Sequence, residues 1–385
     1  MEFELLIEEI NKHLNCTEQN WLFGAGISYA SNIPLMYSLT RRVETLVKET
    51  QDYHGELFDH LKSDLSDDYH IEHLLSHLVD FMAIGTRSAT KCVYIDGVCY
   101  ELNQLNSLYH EIISAITEVI RFGYVEAYGD TEEQIGELKN PIVTLKHHQK
   151  FINTLFGNRA NLINRSKINI FTTNYDTLIE DALAFAKKDV VDGFNGGGIG
   201  YWKGINAFDR KNNSNSVLVC KLHGSIDWYA SQDTGLLRSR YGTSYLNDKK
   251  YTLIYPQASK YVETQKDPFA TLFSVFRSNL NSVKDNVLIT CGYSFGDEHI
   301  NNEIEIAMSD NNSKSVLLAF AKEDNQGALN SRIRLWLDSD FGERVFVMTN
   351  KAIYNSSVRT STPEENTLDW WTFSGLTQFL KEGEI

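Results

Sequence analysis

Apolar positions recur at helical spacing from the start of the chain. Phe3, Leu6, Ile7, Ile10 and Leu14 fall on one stripe, which predicts an amphipathic N-terminal helix. The apolar run Trp21-Leu22-Phe23 then reads as a buried strand. It stops at the glycine turn Gly24-Ala25-Gly26-Ile27-Ser28, and a helix is predicted around Tyr37 to Val47. From about residue 51 to 160 the pattern is mainly helical. Ile71, Leu74, Leu75, Leu78 and Met82 make one stripe, Leu108, Ile112, Ile116, Val119 and Ile120 another, and a third helix is predicted over Ile142 to Leu155.

Strand and helix then alternate. Strands are predicted at Lys167–Phe171, Val217–Cys220, Val287–Ile289 and Val316–Leu318, with a last one at Val345–Val347. Helices are predicted from Tyr175 toward Phe185, over Phe269 to Leu280 and near Glu298 to Met308. Asp192 to Gly200 reads as a glycine-rich loop, and residues 229–268 as an irregular lobe over the site. Apolar strands alternating with helices predict a parallel sheet covered on both faces.

Composition narrows the class. A chain of 385 residues, 42% hydrophobic and 23% charged, is an ordinary globular sequence long enough for two structural units. Its net charge of −15 disfavours direct nucleic-acid binding, which needs a concentrated positive surface. The acidic opening Met1-Glu2-Phe3-Glu4 does not read as a signal peptide, and no run approaches a membrane span. Five scattered cysteines without a Cys-x-x-Cys pair are expected to be reduced thiols of a cytoplasmic protein, the alternative being that Cys92 and Cys99 face each other across a turn at Asp96-Gly97.

Four predicted strands end in glycine-containing or polar sequence: Gly24-Ala25-Gly26-Ile27-Ser28, Thr172-Thr173-Asn174-Tyr175-Asp176, Lys221-Leu222-His223-Gly224-Ser225 and Gly292-Tyr293-Ser294-Phe295-Gly296-Asp297. Ligands collect at strand carboxyl ends in such sheets, so four equivalent endings imply one pocket. In order and content these motifs resemble the sirtuin family. The resemblance covers roughly residues 15–50 and 160–350, and it implies a Rossmann-like fold that binds NAD and cleaves its nicotinamide–ribose bond. The expected division is a catalytic domain over 1–50 and 160–385 with a helical insertion over 51–159.

By that resemblance Asn174 holds the ribose or the attacking water, and His223 acts as general base, since imidazole titrates near working pH. Asp176, with Thr173 beside it, faces the nicotinamide end. Gly24, Ala25, Gly26 and Ser28 cradle the phosphates, and Gly292 and Ser294 contact phosphate or the adenosine ribose. Asp297 and His299 are candidates to line the pocket or cap the following helix. The simpler readings are an N-cap for Asn174, a helix-dipole role for Asp176, a core histidine for His223 and a turn for Ser294.

Two features depart from protein-deacylating sirtuins. No Cys-x-x-Cys pairs follow His223, so no zinc is expected, and Asn32-Ile33-Pro34-Leu35-Met36-Tyr37 lacks the usual Asp and Arg. His70, His73 and His77 read as a solvated helix face rather than a metal site. Gly292-Tyr293-Ser294-Phe295-Gly296-Asp297-Glu298-His299-Ile300-Asn301 and Ile71-Glu72-His73-Leu74-Leu75 look instead like the bacterial sirtuin-like NAD hydrolases of antiphage defence. The compact length resembles the subunit paired with a HerA-type ATPase. The resemblance thus implies NAD depletion by a homo-oligomer. A deacylase, an ADP-ribosyltransferase and a catalytically idle nucleotide-binding subunit of an ATPase assembly stand as alternatives.

Overall fold

The computed structural model describes residues 2–383 apart from 17, 51, 158–166, 209–214, 232–234, 241–249, 254–266, 282–285, 311, 357 and 363–366. The chain divides into two compact units, one of Met1–Ile27, Leu145–Lys250 and Thr264–Ile385, the other of Ser28–Thr144 and Tyr251–Glu263.

The first unit is built on a nine-stranded sheet. In chain order its strands are β1 (Glu18–Phe23), β2 (Lys167–Thr172), β3 (Asp189–Val191), β4 (Ser216–Lys221), β5 (Asn286–Cys291), β6 (Val316–Phe320), β7 (Val345–Met348), β8 (Ala352–Asn355) and β9 (Val358–Ser361). In space they run β9-β8-β7-β6-β5-β1-β2-β4-β3. β1 to β7 are parallel, and β8 and β9 complete the sheet antiparallel. The sequence turns back between β1 and β5, which makes that border the topological switch point of a Rossmann-like α/β sheet.

Within these strands Trp21–Phe23, Ile170–Phe171, Val217–Cys220, Val287–Ile289 and Val316–Phe320 are apolar runs because helices cover both faces. On one face Trp21, Phe23, Ile170, Val219, Ile289 and Leu318 meet the helices Glu2–Leu14, Lys146–Gly157 and Phe373–Glu382 in a single core. On the other, Phe171 packs edge-on against Phe276 of the helix Phe269–Leu280, with ring centroids 4.8 Å apart.

That second face also carries a buried asparagine network. Asn169 Nδ2 donates to Asn20 Oδ1 (2.6 Å) and to Asn279 Oδ1 (2.8 Å), and Asn20 Nδ2 donates to Asn286 Oδ1 (2.7 Å). The carbonyl of Asn279, at the end of its helix, accepts from Asn20 (3.2 Å) and Asn286 (2.9 Å). Three strands and one helix end are thereby locked into a single register.

In the second unit the helix Leu102–Phe122 packs along Met36–Lys48 and Ile71–Arg87. Val43, Val47, Leu74, Leu78, Leu108, Ile112 and Ile116 are buried between them. The first N–H of Ile71–Arg87 is capped by Thr40 Oγ1 of a neighbouring helix at 2.9 Å, not by the preceding His70. This unit also holds two hairpins that apolar periodicity did not signal, Cys92–Ile95 with Val98–Glu101 and Tyr124–Val125 with Gln134–Ile135.

Other sequence expectations need correction. The first hairpin turns at Asp96-Gly97, both at positive φ, and joins Cys92 to Cys99 as a disulfide, so these two are not the reduced thiols expected. Cys16, Cys220 and Cys291 lie outside any disulfide among the described residues. The predicted helices over Ile142–Leu155 and Tyr175–Phe185 begin later, at Lys146 and Leu178. The expected 192–200 loop folds as the strands Phe194–Gly196 and Ile199–Trp202, and within the expected lobe Gly224–Ser231 pairs antiparallel with Gly235–Ser239. Most of residues 241–268 lie outside the described set. Val345–Met348 is not the last strand, since β8, β9 and the helix Phe373–Glu382 follow it.

Candidate active site

The four strands singled out by their endings stop in one register row. Phe23 of β1 pairs with Cys291 of β5 and with Thr172 of β2, and Thr172 pairs with Lys221 of β4. The chain therefore leaves the sheet at the same height in all four places, along the carboxyl edge where such sheets bind ligands.

At the switch point the turns after β1 and β5 touch backbone to backbone. Gly26 N–H donates to Gly292 O at 3.0 Å, and Gly24 N–H to Cys291 O at 3.3 Å. A Cβ on Gly24 would stand 2.5 Å from Gly292 O, and one on Gly26 would stand 2.7 Å from Gly292 Cα. Gly292 itself has φ +64°, and Ala25 is exposed on the turn. The chain enters the short 3-10 turn Ala25–Ile27 here rather than an α-helix. Ser28 is counted with the second unit, is buried, and accepts from Ser31 N–H at 3.0 Å through its carbonyl.

The turns after β2 and β4 are bonded together. Thr173 N–H donates to Phe23 O (3.0 Å) and Leu222 N–H to Thr172 O (2.8 Å). Tyr175 O accepts from Ile226 N–H (3.0 Å) and Ser225 Oγ (3.2 Å), and Lys221 Nζ donates to Asp176 O. Asn174 and His223 thus sit on two turns clamped on either side, and both are buried. Asn174 N–H is held by Thr172 Oγ1 at 3.0 Å. Asp176 Oδ1 accepts from Leu178 N–H at 3.0 Å, which is the helix-start role weighed against the nicotinamide role.

His223 is joined to the turn after β5. Its Nε2 lies 3.2 Å from His299 Nε2 and 3.7 Å from Asp297 Oδ1, and the two imidazoles are partly stacked with centroids 5.3 Å apart. Among the described residues these three form a group whose nitrogen and oxygen ligand atoms all lie within 4.8 Å of one another. Asp297 also stands at the start of the helix Glu298–Ser309, where its carbonyl accepts from Ile300 N–H at 3.0 Å and Asn301 N–H at 2.9 Å. The Ser294 hydroxyl takes a turn role, accepting from Gly296 N–H at 3.3 Å, while Asn330 Nδ2 donates to Ser294 O at 3.1 Å. Phe295, the next residue, holds φ +59°, and its carbonyl accepts from Asn301 Nδ2 at 2.8 Å.

A partly buried charge cluster stands behind the β4 turn, with Lys221, Glu180 and Asp227 buried. Lys221 Nζ lies 3.4 Å from Glu180 Oε1, while Arg240 pairs with Asp227 at 2.9 Å and Asp181 at 2.8 Å. Burial pushes the Glu180 carboxyl up from its ordinary range, against the pull of Lys221 and Arg240. The only available signal was a lysine ending the apolar run Val217-Leu218-Val219-Cys220 and an acid inside Leu178-Ile179-Glu180. Nearby, burial lowers His148 to about 4, with Asp176 opposing the shift. Of the second unit's histidines, His70 stacks on His73 at 3.7 Å and His77 meets Asp64 at 3.3 Å.

Among the described residues no helix is long and apolar enough to cross a membrane. No curated protein matches the chain. Residues 168–342, which carry the β2, β4 and β5 endings, match the model of the SIR2-like domain, a domain type that binds NAD.

Proposed function

We propose that this chain is an NAD hydrolase that cuts the nicotinamide–ribose bond and releases nicotinamide and ADP-ribose. The observation that carries the reading is the single register row in which β1, β2, β4 and β5 end, with the His223 turn clamped to the Asn174 turn through Tyr175. As the C1′–N bond breaks, its electron pair leaves with nicotinamide and positive charge builds on the ribose, as in glycosidases. Water adds at C1′ and gives up a proton. His223 is the base for that proton, and the Asn174 amide orients water or a ribose hydroxyl. Glycine backbone at Gly24, Gly26 and Gly292 lets phosphate approach main-chain N–H groups. The absence of Cys-x-x-Cys pairs from the sequence favours water over an acyl-lysine as acceptor. In the cell the reading extends to NAD depletion in antiphage defence by a cytoplasmic homo-oligomer, partnered by a HerA-type ATPase; this extension rests on resemblance.

The test incubates the full chain with NAD, alone and with a HerA-type ATPase, and follows products by chromatography. Nicotinamide and ADP-ribose in equal amounts support hydrolysis. Release that requires an acyl-peptide supports the deacylase instead, and NAD binding without turnover supports an idle nucleotide-binding subunit.

A further inference from the structure

We propose that His223, Asp297 and His299 form a binding site for a divalent transition-metal ion of the zinc class. The two imidazole Nε2 atoms lie 3.2 Å apart, and Asp297 Oδ1 lies 3.7 Å from His223 Nε2. A tetrahedral ion with bonds of about 2.0–2.1 Å holds its ligands roughly 3.3 Å from one another. The first separation is close to that value, the second is within about half an ångström of it, and all three ligand atoms lie within 4.8 Å of one another. Two imidazole nitrogens and one carboxylate oxygen suit zinc and its neighbours, and poorly suit magnesium or calcium, which prefer all-oxygen shells.

The surroundings fit the same reading. The ligands come from rigid places, His223 from the turn closing β4 and the other two from the start of Glu298–Ser309. The positive end of that helix disfavours a cation, and the Asp297 carboxylate offsets it. Phe273 stands against His299 with ring centroids 5.3 Å apart and gives the site an apolar wall. Asp297 and His299 are only partly buried, so an ion can enter. Three protein ligands leave a fourth position for water or an oxygen of a bound ligand.

The consequence rests on the hydrolase reading. An ion on His223 Nε2 occupies the lone pair that would otherwise take a proton, so metal binding and general-base action exclude each other. The loaded form is a resting form, and removal of the ion releases the base.

The experiment reads metal directly. The full chain is stripped with a chelator, incubated with ZnCl₂ or CoCl₂, freed of excess by gel filtration and assayed by mass spectrometry for metal, with the visible absorption of cobalt as a second readout. The expected result is one ion per chain with a tetrahedral cobalt spectrum. Both signals should be lost in Asp297→Asn and His299→Ala and kept in His73→Ala, which alters the stacked His70–His73 pair. Asp297→Asn changes little volume and carries the test if His299→Ala fails to fold. No retained ion, or equal retention in Asp297→Asn, overturns the proposal. NAD enters none of these measurements, so a chain that binds the ion yet stays inactive towards NAD after chelation refutes the hydrolase reading alone.

Discussion

Gly26 donates its amide proton to Gly292 O at 3.0 Å, so the turns closing β1 and β5 are in direct main-chain contact where the sheet reverses its order. A Cβ on Gly292 would stand 2.5 Å from Ile27 N, and the residue holds φ +64°. Backbone atoms on both sides cannot yield as a flexible side chain would. Gly292→Ala is expected to cost about 1–3 kcal/mol from its backbone conformation alone, with the clash in addition. Gly197→Ala, with nothing within 4 Å of its Cβ, should stay within about 1 kcal/mol of the parent. Urea unfolding midpoints of the two variants measure the difference.

Asn174 and His223 stand on turns held by the Thr172 hydroxyl, which accepts from Asn174 N–H, and by the carbonyls of Thr172 and Tyr175, so their own side chains are not what closes the turns. Asn174→Ala and His223→Gln are each expected to lower NAD turnover by about 10²- to 10⁴-fold. Thermal unfolding should move little in either variant. Nicotinamide release measured beside circular dichroism separates the two effects; unchanged rates in well-folded variants would remove both residues from the proposed chemistry.

Lys221 and Glu180 are a buried pair 3.4 Å apart, and Lys221 also donates to Asp176 O. Removing the cation alone strands a buried carboxylate whose ionisation burial already disfavours. Lys221→Met is expected to destabilise by about 3–5 kcal/mol, and Lys221→Met combined with Glu180→Gln by clearly less. A double-mutant cycle from denaturant unfolding checks this, and additive losses would mean the two groups do not act as a pair.

The sheet was legible wherever a strand is buried on both faces. Val217-Leu218-Val219-Cys220 and Val287-Leu288-Ile289 read as strands because no solvent face interrupts the apolar run. β8 and β9 were not legible: Tyr354, Arg359 and Thr360 are partly or fully exposed at the sheet's edge, so apolar spacing carries little signal there. The hairpin at Phe194–Trp202 hid behind Gly196-Gly197-Gly198, which reads equally as a loop. The site's strand endings could be found from sequence because polar residues and glycines directly follow apolar runs. The Lys221–Glu180 pair and the Asn20–Asn169–Asn286 network could not, since only sheet register brings residues so far apart in sequence together. Asp297 and His299 were legible as neighbours of the site, but their meeting with His223 depends on how the helix after β5 is aimed.

His148 gives the fold an acid-sensitive point beside the site. Burial, including its packing against Phe373 at 5.0 Å, lowers the imidazole from 6.5 to about 4, and Asp176 only partly opposes this. The native state thus keeps His148 neutral where the unfolded chain takes up a proton. As pH falls from 6.5 toward 4, the unfolded state binds more protons and stability drops; above 6.5 this contribution is fully present and level. The shift corresponds to a loss on the order of 3 kcal/mol across the window. His148→Gln removes the titrating group, so its stability should decline less between about pH 7 and about pH 4.5. Urea midpoints of both proteins at the two pH values isolate the histidine, because carboxylates elsewhere contribute equally to each. Parallel declines would mean that His148 takes up its proton as readily in the folded protein as in the unfolded chain.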